Sequence, residues 1–373
     1  MKHWHILGVS NSGSFIAHYL RKRGHKVTLL MRDPTTLNKF DKLNRSIEVS
    51  KEFEPKVEIS KEYQSECIHG YDYGNVIDPR YPNESCPPHL RIRRLIVTIK
   101  SHEFSKYYQR IYHRLSPTST IILFTYGMGT YEELMKDYYN FDEAIRPNLL
   151  IGLNSHHVYK RASYGTQFKL IHSGFGEIDL GVIPRRFNKT EQKKVDASLQ
   201  PEEPLVNVDD TNKDLNNVSF KDTLDSVIKE FIEIPELNAR NVNYSNIVNR
   251  KLENLALNSV IDPITSIYYI RNGSLLFNAM ADRVIRPICA ESSMVIRKHR
   301  ESLGMTPTNR FATDRLIDAV FQICLKTPHF ESLSLQYIKK NMPTEIDYLN
   351  GYIVKLGNAH NIPTPINQFL IDM

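Results

Sequence analysis

Residues 3–31 read His-Trp-His-Ile-Leu-Gly-Val-Ser-Asn-Ser-Gly-Ser-Phe-Ile-Ala-His-Tyr-Leu-Arg-Lys-Arg-Gly-His-Lys-Val-Thr-Leu-Leu-Met. The first seven predict a short buried strand running into Gly8, Val9, Ser10, Asn11, Ser12 and Gly13. Phe15, Ile16, Tyr19 and Leu20 then recur at helical spacing, Gly24-His25-Lys26 makes a turn, and Val27 to Met31 is a second apolar strand. A GxGxxG loop means little alone, but strand–loop–helix–strand is the setting in which it cradles a dinucleotide. There the first glycine makes the tight turn, the third lets helix pack on strand, and the second lets a pyrophosphate approach the backbone. Here that second position is Ser10, whose Cβ and hydroxyl crowd a phosphate or donate to it. A purely structural glycine turn is the competing reading. Arg32, directly after the second strand, stands where NAD-specific proteins carry an acid; a guanidinium there suits the 2′-phosphate of NADP.

A chain of 373 residues with 41% hydrophobic content is long enough for two ordinary domains. Its net charge of +6 is too modest to require a polyanionic partner without a concentrated basic patch. The four cysteines, Cys67, Cys86, Cys289 and Cys324, form no CxxC pair, which argues for free thiols and against a structural metal site. No apolar run reaches the ~20 residues that span a bilayer. The first strand begins so near Met1 that a separate leader peptide is not expected. A cytoplasmic or mitochondrial location is expected.

Beyond Arg32, residues 41–92 are rich in charge, Tyr, Pro and Asn, and read as a long insertion with one strand around Ser46–Ser50. Within it Tyr71 to Gly74 and Cys86-Pro87-Pro88 are expected loops. Leu95 to Ile99 is a fully apolar strand ending in Lys100-Ser101, Tyr107 to Leu115 a helix, and Ile121 to Phe124 another strand ending in Thr125-Tyr126-Gly127-Met128-Gly129. Pro147 to Leu153, Phe168 to His172 and Glu177 to Gly181 close the first domain. His156 and His157 lack a third ligand nearby, so a loop role outweighs metal binding. Pro184 to Asp225 is polar and of mixed charge, as in a linker.

Helical periodicity dominates thereafter, with Arg283–Arg300, Arg310–Thr327 and Thr344–His360 each suited to a bundle. Residues 250–273 carry Asn254, Asn258 and Asp262 at i, i+4, i+8, a polar stripe along one helix face. Spacing alone leaves that stripe facing water.

The wording Leu252-Glu253-Asn254-Leu255-Ala256-Leu257-Asn258-Ser259-Val260-Ile261-Asp262-Pro263-Ile264-Thr265 resembles the signature helix of ketopantoate reductases, Lys-Leu-x-x-Asn-x-x-x-Asn-Pro-Leu-Thr. The resemblance spans roughly 3–183 and 245–365. It implies an α/β N-terminal Rossmann-type dinucleotide-binding domain (1–183, with the insertion at about 41–92). It also implies a linker and first helix (184–244) and an all-α C-terminal domain (245–373) of the 6-phosphogluconate dehydrogenase C-terminal-like kind, for substrate and dimerisation. The reaction it implies is NADPH-dependent reduction of ketopantoate to pantoate, in pantothenate and coenzyme A biosynthesis.

The resemblance also assigns positions. Gly8, Val9, Ser10, Asn11, Ser12, Gly13, Arg32, Lys100, Tyr126 and Glu345 fall on the cofactor side, and Asn258, Asp262, Asn272 and Leu333 on the substrate side. The family's general-acid Lys falls on Asn254. Lys251, three residues earlier, points about 60° away on a helix of about 100° per residue. Where the family reads Asn-Gly-Met-Gly this chain has Tyr126, and a phenol cannot supply an amide's paired donor and acceptor. Asp262 replaces a substrate-side Asn, and its charge would repel an anionic substrate. Scaffold words persist while chemical positions change, so impaired catalysis with a binding or regulatory role is expected, against the alternative of an active reductase. Some yeast mitochondrial translation activators look like relatives of this architecture. The partners to consider are therefore a small-molecule substrate, a protein or RNA, and a second copy of the chain. NADP(H) would be kept for hydride transfer, kept as a structural ligand, or lost.

Overall fold

The computed structural model describes residues 2–52, 54, 56–68, 90–160, 168–185 and 220–373. The chain forms two compact units, one of Met1–Ile99, Ser105–Phe124 and Glu132–Tyr244, the other of Lys100–Phe104, Thr125–Tyr131 and Ser245–Met373.

In the first unit β1 (His3–Leu7), α1 (Asn11–Lys22), β2 (Lys26–Met31), α2 (Pro34–Lys42), β3 (Ile47–Lys51), β4 (Val57–Ser60), β5 (Gln64–Cys67) and β6 (Arg94–Val97) come first. Then follow α3 (Phe104–Tyr108), β7 (Thr120–Leu123), α4 (Thr130–Tyr139), β8 (Asn148–Asn154), β9 (His157–Lys160), β10 (Lys169–Gly174), β11 (Ile178–Val182), α5 (Phe220–Ile232) and β12 (Ala239–Val242). An eight-stranded sheet has the order β12-β11-β8-β7-β6-β1-β2-β5. Its centre is parallel from β5 through β8, with β11 antiparallel to β8. Parallel strands are covered on both faces, which is why Leu95-Ile96-Val97 and Ile121-Ile122-Leu123 are apolar without alternation. A second sheet, β4-β3-β10-β9, lies against the other side of α1. Every residue of α1 from Gly13 to Leu20 is therefore buried, including His18, whose Nδ1 is 2.8 Å from Ser60 Oγ. Burial pulls the His18 pKa down to about 4, so the ring is neutral in the core.

The insertion carries more structure than its sequence predicts: β3, β4 and β5 stand where one strand is expected, and β5 joins the main sheet beside β2. The expected loops at 71–74 and 86–88, and residues 186–219 of the expected linker, lie outside the described residues. Beyond them α5 packs on the sheet through Trp4, whose indole N–H donates to Glu230 Oε2 at 3.0 Å while Arg94 pairs with the same carboxylate. Strand β12 then extends the sheet beside β11.

The second unit consists mainly of α6 (Tyr244–Ile267), α7 (Ala279–Ser302), α8 (Thr313–Lys326), α9 (Leu333–Ile338), α10 (Asn350–Ala359) and α11 (Pro365–Asp372). No helix among the described residues is long and apolar enough to cross a membrane. Pro263 sits inside α6 and lacks the N–H that would bond the carbonyl of Ser259, four residues earlier. Asn350 supplies the missing donor: its Nδ2 lies 2.9 Å from Ser259 O and 2.9 Å from Asn367 Oδ1. Asn367 in turn donates Nδ2 to the Glu291 carboxylate, which also accepts the first amides of α11 from Ile366 and Asn367. An N350A substitution strands buried acceptors on α6 and α11 and should cost about 3 kcal/mol. Urea denaturation checks this, and an unchanged midpoint would mean that Ser259 O has another donor.

Candidate active site

In the first unit, the turn from β1 into α1 requires its two glycines. Gly8 has φ +99°, and a Cβ there would lie 2.6 Å from Ile99 Cγ2. A Cβ on Gly13 would fall 2.4 Å from Thr98 Oγ1 and 2.5 Å from Gly8 O. Between them Ser10 is the N-cap of α1, its Oγ accepting from Gly13 N at 3.1 Å, so the hydroxyl has a structural task. Asn11 Nδ2 donates to Val158 O, Ser12 Oγ accepts from Asn154 Nδ2, and half-buried Val9 packs on the core. The first-turn amides of Asn11 and Ser12 belong to a helix N-terminus, where backbone donors and the helix dipole favour an anion. Arg32 is half-buried at the end of β2, its Nε 3.7 Å from Asp33 Oδ2, while Asp33 caps α2 through Thr36 N. A glycine cradle, a helix start and a strand-end cation suit a dinucleotide phosphate.

In the second unit the stripe on α6 grades from open to closed: Asn254 is exposed, Asn258 half-buried, and Asp262 only 2% exposed. Asp262 is the hub. Its Oδ1 accepts from Tyr126 Oη at 3.2 Å, and its Oδ2 accepts from Ser334 Oγ at 2.8 Å and Ser334 N at 3.3 Å. Burial raises the Asp262 carboxyl to about 6, against the pull of the Ser334 and Tyr126 hydrogen bonds and with a push from Glu345. The Tyr126 phenol is held well above its usual range, first by burial and then by the Asp262 charge. Tyr126 and Asp262, two departures that the sequence shows separately, are thus one hydrogen-bonded pair.

The loop carrying Tyr126 is fixed from behind. Lys251 is buried on α6, and its Nζ donates to Thr125 O at 2.7 Å and Gly127 O at 3.0 Å. Met128 N donates to Tyr348 O at 2.9 Å, and a Cβ on Gly127 would come within 2.4 Å of Tyr348 Cβ. Glu345, 2% exposed, accepts Ser101 N at 2.7 Å. Lys100 Nζ stands 3.6 Å from the centroid of the Tyr337 ring, a close cation–π contact.

Other residues singled out from sequence serve the scaffold. Asn272 donates Nδ2 to Thr327 Oγ1 and its backbone N–H to Phe330 O. Leu333 is half-buried; the serines flanking it make the polar contacts, Ser334 with Asp262 and Ser332 with Thr265, their hydroxyls 2.7 Å apart. Ser332 also caps α9 through Leu335 N. In the first unit His156 has Nε2 2.9 Å from Leu237 O and accepts Gly176 N at Nδ1, which binds the ring into the fold. Ser334, Ser332, Thr265, Ser101, Tyr337 and Tyr348 lie in the motif stretches, but the sequence assigns none of them a role. Only the Ser-x-Ser at a helix start offered a signal, as an N-cap pattern.

Two family models match, Ketopantoate reductase PanE/ApbA over residues 4–185 and Ketopantoate reductase PanE/ApbA C terminal over residues 246–373. The chain belongs to the ketopantoate reductase family. A probable 2-dehydropantoate 2-reductase of Schizosaccharomyces pombe is 24% identical, covering 98% of this chain and 94% of the relative. The 2-dehydropantoate 2-reductase of Saccharomyces cerevisiae is 23% identical over 96% and 89%, and that of Escherichia coli O157:H7 27% identical over 75% and 72%. Among solved structures, D-mandelate dehydrogenase with NADH and anilino(oxo)acetate superposes with TM-score 0.67 at 16% identity, covering 100% of this chain and 96% of that one. The PanE/ApbA family ketopantoate reductase from Ralstonia eutropha superposes at 0.66 and 16%, covering 99% and 96%. At these identities the structural likeness shows the fold: a Rossmann-type α/β domain and a helical C-terminal domain.

Proposed function

We propose that this chain is a nicotinamide-dinucleotide-binding member of the family whose reduction of ketopantoate at neutral pH is impaired. One observation carries the reading: Asn254, on which the resemblance places the family's proton-donating Lys, is an exposed amide, while the ammonium nearest along that helix, Lys251, is spent on backbone carbonyls. An amide can donate a hydrogen bond to a forming alkoxide but cannot surrender a proton, and a general acid contributes ~10² to 10⁴-fold. The ionised Asp262 adds repulsion toward an anionic 2-oxo acid. The cofactor side is better kept, with Gly8, Gly13 and the α1 start for phosphate and Arg32 favouring NADP(H) over NAD(H).

Ketopantoate-dependent NADPH oxidation at pH 7.5 should run at least ~100-fold below that of the S. cerevisiae or E. coli relative assayed alongside. Equal turnover would overturn the reading and leave the second one, an active 2-dehydropantoate 2-reductase. The name borne by the relatives matched over most of this chain favours that alternative. A chain that binds NADPH without turnover is suited to a binding or regulatory role, with protein or RNA as partner, as in a mitochondrial translation activator; RNA co-purifying with the cofactor-bound protein is the corresponding check. A homodimer draws support from a relative described as the dimeric ketopantoate reductase from Staphylococcus aureus.

A further inference from the structure

Two histidines face each other in the helical unit. His299 lies in the last turn of α7, and His360 is the C-cap of α10. His299 Nδ1 stands 3.4 Å from His360 Nε2, with the rings inclined at 53° and their centroids 5.6 Å apart. Both side chains are half-buried. For a hydrogen bond that separation is long, beyond the ~2.7–3.2 Å usual for an N–H donor. It is the separation of two nitrogens on one tetrahedral ion, since donors bound to zinc at about 2.0–2.1 Å lie about 3.3–3.4 Å apart. We propose that His299 and His360 form a binding site for a divalent transition metal of the zinc class, one that ties the end of α7 to the end of α10.

Both imidazoles hang from backbone that is already fixed. Helix α7 is closed by Gly304 at φ +69°, with Met305 N donating to Arg300 O at 3.0 Å and Gly304 N to Glu301 O at 2.9 Å. Helix α10 is closed by Asn361 at φ +55°, with Ile362 N donating to Gly357 O at 2.8 Å and Asn361 N to Asn358 O at 3.3 Å. In each, a left-handed residue satisfies last-turn carbonyls and pins the end of the helix. Little ordering of the backbone is then left for an arriving ion to impose. The negative poles of two helix dipoles meet there, which favours a cation. Neighbouring cations are engaged elsewhere, Lys298 with Glu301, and Arg300 with Asn249 Oδ1 and Thr306 O. Imidazole donors suit zinc, nickel or copper and not magnesium or calcium, which take oxygen. Among the described residues no three His, Cys, Asp or Glu side chains gather around one point, so water completes the coordination and the ion is exchangeable. The other close pair, His156 and His172 at 3.1 Å, does not offer the same donors. His156 spends Nε2 on Leu237 O and Nδ1 on Gly176 N.

The test titrates the full chain, stripped by a chelator, with zinc chloride at pH 7.5 by calorimetry. With half the donors of a structural zinc site, an apparent Kd on the order of 10 µM is expected. H299A and H360A should each weaken it at least ~10-fold, and a large excess of magnesium should not compete. Cobalt(II) in place of zinc should give the intense visible absorption of a four-coordinate ion in the natural chain and in neither variant. Zinc should also raise the urea midpoint of the natural chain and leave both variants unmoved. Unfolding in chelator should be the same for all three proteins; should an alanine variant unfold early, H299Q or H360Q replaces it under the same expectations. A Kd weaker than about 100 µM, binding that survives in either variant, displacement by magnesium, or a cobalt spectrum unchanged by substitution each overturns the proposal.

Discussion

Combining N254K, Y126N and D262N should raise ketopantoate reduction at pH 7.5 at least a hundredfold, and no single member should come close. Asn254 lies at the open end of the α6 stripe, so a Lys there meets no steric bar and carries its ammonium on the same helix face as Asn258 and Asp262. That ammonium restores a proton donor worth ~10² to 10⁴-fold. It works poorly alone, because the ionised Asp262 stays on that face to repel the substrate anion. Y126N alone removes the phenol and leaves the buried carboxylate with Ser334 only. D262N alone removes the charge and leaves Tyr126 on the loop. Residues that act as a unit give non-additive effects, so the triple variant should exceed the product of the singles. Steady-state kcat/KM for ketopantoate with NADPH decides it. A triple variant no faster than the natural chain would mean that these three positions do not limit reduction.

Much of the fold is legible because its strongest signals are local. The strand–glycine loop–helix of residues 3–31, the unbroken apolar runs at 95–97 and 121–123, and the long helical periods of α7 and α8 each announce an element from within a single window. The second sheet hides for the opposite reason. Strand β4 is Val-Glu-Ile-Ser, short and mostly open to solvent, and β3 finds its parallel partner in β10 more than a hundred residues away. Nor can α1 be read as covered on both sides, since Ser14 and His18 look like surface residues until β3, β4 and β9 are seen against the helix.

The site divides the same way. Asn254, Tyr126 and Asp262 stand out singly against a family pattern, but the bond between Tyr126 and Asp262 joins positions 136 apart in the chain. By helix geometry the Lys251 Cβ points about 60° from the stripe. Direction at Cβ says little about a four-carbon stem, and the side chain instead spans to the carbonyls of Thr125 and Gly127. Asn350 likewise has no sequence signature: its role exists only because Pro263 leaves an acceptor open on another helix.

D262N should stabilise the fold, and the gain should depend on pH with a definite sign. The folded protein binds a proton on Asp262 at about 6, whereas the unfolded chain binds it at its ordinary value of 3.8. Between those values the folded state holds more protons, so this residue's contribution to stability grows as pH falls from 6 to 3.8 and is least favourable above 6. At pH 7.5 the buried charge costs about 3 kcal/mol, at 1.36 kcal/mol per unit of a shift from 3.8 to about 6. An Asn keeps the shape, accepts from Ser334 with its carbonyl oxygen and donates to Tyr126 Oη with its amide, so little is lost in exchange. Chemical denaturation of D262N against the natural chain should therefore show a gain of about 2–3 kcal/mol at pH 7.5 that shrinks to nothing near pH 4. An equal gain at both values would mean that packing rather than charge sets the difference, and a loss at pH 7.5 would mean that the carboxylate's hydrogen bonds outweigh its burial.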